Sequence, residues 1–157
     1  MVTITDEAAV LSAVAAMLLA VFAVVQLRHM EKHRNVDISM KLFEWAETDR
    51  LRKAFKWLDN EFKFKNYEDY KAVEPLNVET SEYPFEVTAF FEQVGFLVEK
   101  KFVDLDVVAD RLGTRIILNW QKLEPWIAGV RKEKGDLTYG EHFQRLYQRT
   151  ADYMKKR

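Results

Sequence analysis

AAVLSAVAAMLLAVFAVVQL, residues 8–27, is a stretch of twenty residues without a charge, and Ser12 and Gln26 are its only polar members. At ~1.5 Å rise per residue a helix of this length spans the ~30 Å hydrocarbon core of a bilayer, where it satisfies its own backbone hydrogen bonds. Two other readings fit less well. A cleavable signal peptide wants a basic n-region and a shorter apolar run ending in small residues, whereas Asp6 and Glu7 precede this run and Gln26, Leu27 and Arg28 close it. A buried helix of a soluble domain usually keeps a polar stripe, and this run has none. The stretch therefore predicts a transmembrane helix, with Thr5 or Asp6 as the cap of its first turn.

Arg28, Lys32 and Arg34 follow the run and no base precedes it. Positive flanks are retained on the cytoplasmic side, so the expected protein is single-pass in the cell (inner) membrane, N-terminus outside and body in the cytoplasm. Ala8, Ser12, Ala16 and Ala20 recur every four residues, a line of small side chains that would let two such helices pack closely.

Outward from this segment, residues 35–157 have the size of one domain, which sets the expected division at 1–34 and 35–157. A chain that is 48% hydrophobic and 13% aromatic can bury a core, and only five glycines and three prolines interrupt it. That balance predicts an all-α fold: the N-terminal transmembrane helix, then a compact multi-helix cytoplasmic bundle. With no cysteine, disulfides, cysteine-ligated zinc, iron–sulfur clusters and thiol chemistry are excluded. The net charge of -1 hides segregation, because residues 66–99 hold Lys71 as their only base against eight acids, between two basic flanks.

Apolar spacing predicts the helices of the body. Residues 36–47 form the first, with Asp37 as N-cap and Met40, Phe43 and Trp45 or Ala46 inward. Thr48 caps the second, in which Leu51, Phe55, Leu58 and Phe62 share a face opposite Arg50, Arg52, Lys53 and Lys56. Residues 67–73 add a turn or two, and 74–83 read as the longest loop. Pro84 begins a helix to residue 100 that is apolar around most of its circumference and so is expected to be the most buried, and Gly95 within it implies close approach by a neighbour. Asp104 caps a short helix over 105–112 that Gly113 ends, and a long helix over 114–134 follows, kinked or divided near Lys122 by Pro125. Thr138 caps the last, whose buried side holds Phe143, Leu146, Tyr147 and Thr150.

The segments Phe90-Phe91-Glu92, Val94-Gly95-Phe96-Leu97-Val98 and Val103-Asp104-Leu105-Asp106, followed by Trp120, Leu123, Pro125 and Arg131, resemble a widespread prokaryotic family of small helical proteins, many with one N-terminal span, known as a domain of unknown function. The resemblance covers roughly residues 36–154. It implies the helical fold and a membrane anchor, and it brings no activity, cofactor or site residue with it.

Few residues carry the pattern of a chemical site. His29 and His33 are one helical turn apart, a spacing that suits a metal, but no third ligand is apparent and interfacial anchoring accounts for them. His142 reads as a structural residue, and neither a metal nor another cofactor is expected. P-loop, dinucleotide, nucleophile-elbow and zincin patterns are absent. The basic residues Arg28, Lys32, Arg34, Arg50, Arg52, Lys53 and Lys56 lie in the part of the sequence nearest the bilayer and are candidates for contact with anionic lipid. Nucleic acid is a poorer fit, because the interleaved aromatics belong to the core stripe. The expected function is a membrane-tethered helical interaction module, a scaffold or accessory subunit whose partners are membrane lipid and a protein or a second copy of the span. The alternative is an anchored sensor or effector whose cytoplasmic domain binds a small molecule or nucleotide, and an enzyme is the least favoured reading.

Overall fold

The computed structural model describes residues 4–73 and 80–157; the side chains of residues 4–8, 10, 31 and 32 also lie outside that description. The described residues form six helices and no strand: α1 Ile4–Ala46, α2 Asp49–Asn60, α3 Tyr67–Val73, α4 Tyr83–Glu99, α5 Leu105–Lys134 and α6 Glu141–Lys155. The fold is all-α, an apolar N-terminal helix followed by a helical bundle. The chain divides into two compact units, Met1–Asp37 and Ile38–Arg157.

Several expected helix ends do not occur. Asp37 caps nothing, since α1 runs through it, and Thr5 and Asp6 likewise fall inside α1 rather than at its cap. No glycine or proline lies between residues 28 and 37 to stop the helix, and a cap preference of about 1 kcal/mol does not outweigh continued backbone bonding. Within Ile38–Arg157 the end of α1 buries Leu42 and Ala46 and half-buries Ile38 and Phe43, whereas Met40 and Trp45, both expected inward, are exposed. Part of the expected 74–83 loop lies outside the described residues.

Gly113 does not end a helix either. It lies buried in α5, where a Cβ would come within 2.8 Å of Met154 Sδ, so the glycine admits the end of α6 against α5. Pro125 does not divide α5: both it and Gln121, whose carbonyl loses its intrahelical partner, are exposed, and water can take the freed oxygen. Thr138 does not cap α6. Its hydroxyl and amide both donate to Asp136 Oδ1, at 2.6 and 2.9 Å, closing a local turn that also holds the Asp136 carboxyl below its usual value. The helix begins three residues later, after Gly140 in the left-handed conformation.

The core forms as the apolar spacing requires. Leu51, Phe55, Leu58 and Phe62 are buried, and so are Ile116, Trp120, Leu123, Ile127 and Val130 of α5. α4 is the central helix, packed on α2, α5 and α6, with Val87, Phe90, Phe91 and Val94 fully buried. Aromatic contacts run through it: Phe55 meets Phe91 at 5.8 Å between centroids, Phe91 stacks on Phe143 at 4.7 Å, and Trp120 meets Phe143 edge-on at 5.1 Å. A second cluster, with Tyr67, Tyr70, Phe85 and Tyr139 around the buried Trp126, joins α3 to α4 and α5.

Candidate functional site

In the first unit, Leu11, Met17, Leu18, Leu19, Phe22 and Leu27 are all at least 60% exposed. Ser12, Ala16 and Ala20 are exposed on the same helix, and the Ala8 side chain lies outside the described residues. By length and composition α1 is sufficient to cross a membrane. His29 and His33 meet at 3.0 Å between their Nε2 atoms, fully in the open. Among the described residues no three His, Cys, Asp or Glu side chains converge as a metal set would.

Of the basic residues singled out in the sequence, Arg50 and Arg52 have acidic partners. Arg50 Nε donates to Glu86 Oε1 at 2.5 Å, turned toward α4, and this hydrogen bond, with the Glu86 charge, raises the Arg50 pKa. Arg52 pairs with Asp49 at 3.5 Å. Lys53 and Lys56 are exposed, as are Arg28 and Arg34 in the first unit, while the Lys32 side chain lies outside the described residues. Beside the Arg50–Glu86 pair an open groove of about 440 Å³ is lined by Trp45, Leu51 and Ala89, with Thr48. Trp45 remains 40% exposed although its ring meets Phe90 edge-on at 5.0 Å.

A polar cluster that the sequence did not reveal holds α6 onto α4. Gly140 has no side chain to cap α6, and Glu92 of α4 does so instead: its carboxylate accepts from the His142 amide at 3.2 Å and the Phe143 amide at 2.9 Å. A carboxylate at this position also meets the positive end of the helix dipole. About two turns along α4, Glu99 pairs with His142 Nδ1 at 2.5 Å and Arg145 at 2.6 Å, and Arg145 reaches Glu141 in turn. Lys122 of α5 does the converse for α2, donating to the Leu58 carbonyl at 2.6 Å where α2 has no base of its own in its last turn. These groups resemble an acid–base set in composition, but their bonds are spent on holding helix ends.

The Arg145 guanidinium and then the His142 ring hold the Glu99 carboxyl below its ordinary value of 4.5. Because folding lowers this pKa, ionised Glu99 stabilises the fold in full above that ordinary value and loses its contribution as pH falls through the folded one. The thermal midpoint of the wild type is expected to fall more steeply in acid, below about pH 4.5, than that of Glu99→Gln. Parallel curves for the two would show that the cluster does not bear on stability.

Arg111 and Arg115 were also missed. A helix ending at Gly113 would put them on separate elements, whereas unbroken α5 sets them one turn apart, over the rings of Phe43 and Phe55 at 5.9 and 5.1 Å. Helical spacing alone would have paired them had Gly113 not been read as a stop.

No curated protein and no solved structure matches the chain. The family described as "Domain of unknown function (DUF4760)" matches residues 10–150, from within the apolar stretch to the last buried residue of α6, and the chain belongs to that family.

Proposed function

We propose that this chain is a membrane-tethered helical interaction module, a scaffold or accessory subunit of a membrane-associated complex. The observation that carries the reading is the apolar surface of residues 11–27, whose large side chains are exposed among the described residues. Exposed in water, a continuous apolar surface of this kind would drive aggregation; in a bilayer it is solvated. The family match begins at residue 10, so the apolar helix is part of the family's domain, which argues against a leader discarded before folding.

In this reading α1 crosses the membrane once, with the N-terminus outside and Ile38–Arg157 in the cytoplasm. Ser12, Ala16 and Ala20, with Ala8 by sequence, form the line along which two spans pack. Arg28, Lys53 and Lys56, with Lys32 by sequence, face anionic headgroups at about 1 kcal/mol each, and Arg34, Arg50 and Arg52 contribute less because each already has a partner, Glu86 for Arg50 and Asp49 for Arg52. The groove at Trp45 is open and apolar, which suits a side chain of a protein partner better than a nucleotide.

The full chain is expected to stay with membranes through alkaline carbonate extraction, and deletion of residues 8–27 to release it. A reporter that works only in the cytoplasm should be active when fused after Arg157. Extraction of the intact chain would remove the tether, and activity only of a reporter of the outer side would reverse the orientation.

A further inference from the structure

Between the first turns of α5 and the end of α6 lies a pocket of about 190 Å³ whose walls include Asp110, Arg111, Thr114, Arg115, Tyr153 and Arg157. Its charges are unequally committed. Asp110 is bonded by Arg157 and accepts from the Tyr153 hydroxyl at 3.3 Å, so its charge is balanced within the pocket. Arg111 and Arg115 have no ion pair among the described residues, and two positive charges remain. Each guanidinium lies over an aromatic ring, Phe43 for Arg111 and Phe55 for Arg115. A cation held over a ring face is not neutralised by it, so neither contact removes the charge of its guanidinium. Met154, packed on Gly113, and Thr114 also line the pocket.

The geometry points to a binding site for a phosphate group, in which Arg111 and Arg115 supply paired N–H donors and Thr114 a hydroxyl. Oxyanions with several acceptor oxygens suit two planar forks better than a halide does. The volume is below the roughly 300–1,000 Å³ of pockets that take drug-sized ligands, so the group bound is a free phosphate or the headgroup of a phosphomonoester lipid rather than a nucleotide. All of these residues belong to the unit Ile38–Arg157, so the site does not depend on whether residues 11–27 lie in a membrane.

Full-length chain in a neutral detergent, titrated calorimetrically with inorganic phosphate and, separately, with dihexanoyl phosphatidic acid, tests the assignment, with dihexanoyl phosphatidylcholine as the zwitterionic control. Saturable binding of phosphate identifies a soluble anion as the source; saturable binding of the phosphatidic acid alone identifies a lipid headgroup. In either case each guanidinium removed should weaken binding about tenfold, so that Arg111→Gln with Arg115→Gln loses about a hundredfold. Arg149→Gln, an exposed arginine outside the pocket, should bind as the wild type does. Should the double variant unfold, Arg115→Lys keeps the charge and the apolar stem but not the fork, and is expected to bind about tenfold more weakly. Binding of neither probe, equal loss in Arg149→Gln, or wild-type affinity in Arg115→Lys overturns the site.

Discussion

Replacing Phe91 by alanine is expected to destabilise the bundle by about 3–5 kcal/mol, the cost of emptying the space of a fully buried phenylalanine. Phe91 is 0% exposed and lies where α2, α4 and α6 meet: its ring contacts Phe55 and Phe90 and stacks on Phe143. Truncation leaves a void with rigid walls on three helices, so neighbouring rings cannot collapse into it without breaking their own contacts. Against a total of roughly 5–15 kcal/mol for a domain this is a large loss. It is measured as the denaturant midpoint of the full chain in a neutral detergent, followed by tryptophan fluorescence. A negligible shift would mean that α4 is not the centre of the core.

Gly95→Ala tests the packing of the same helix with the opposite expectation from propensity. In the interior of an exposed helix this change would stabilise by about 1 kcal/mol, because alanine is the better helix former. At Gly95 a Cβ would run into the carbonyl of His142, a backbone group in the first turn of α6 that cannot swing aside. α6 would have to move off α4, loosening the Glu92 and Glu99 bonds that hold its end. Overpacking of this kind costs about 1–3 kcal/mol, so the expected sign is a net loss. The same denaturant midpoint decides it, and a rise in stability would place α6 farther from Gly95 than the structure has it.

Much of the fold is legible along the chain because helical periodicity is a local property. The stripe Leu51, Phe55, Leu58 and Phe62 needs only the 3.6-residue repeat to be recognised, and all four are buried. The density of apolar residues in 84–100 marks α4 as central by the same reasoning, and Gly95 within so apolar a helix points to a close neighbour. The membership in an uncharacterised family was readable from the same part of the chain.

Element ends and polar partners were decided only in three dimensions. Asp37, Gly113 and Thr138 all carry a genuine local preference to start or stop a helix, yet α1 and α5 run on and α6 begins later. Such preferences are worth about 1 kcal/mol, and burial of an adjoining stripe or a local turn outweighs them. The basic face of α2 was visible as composition, but that Arg50 would be held by Glu86, or that Arg111 and Arg115 would share a wall with Arg157, depends on which helices become neighbours. Apolar periodicity tells each helix which side to bury and says nothing about which helix it will meet. Glu92 can cap α6, fifty residues away in the chain, only after the aromatic core has brought α4 and α6 together.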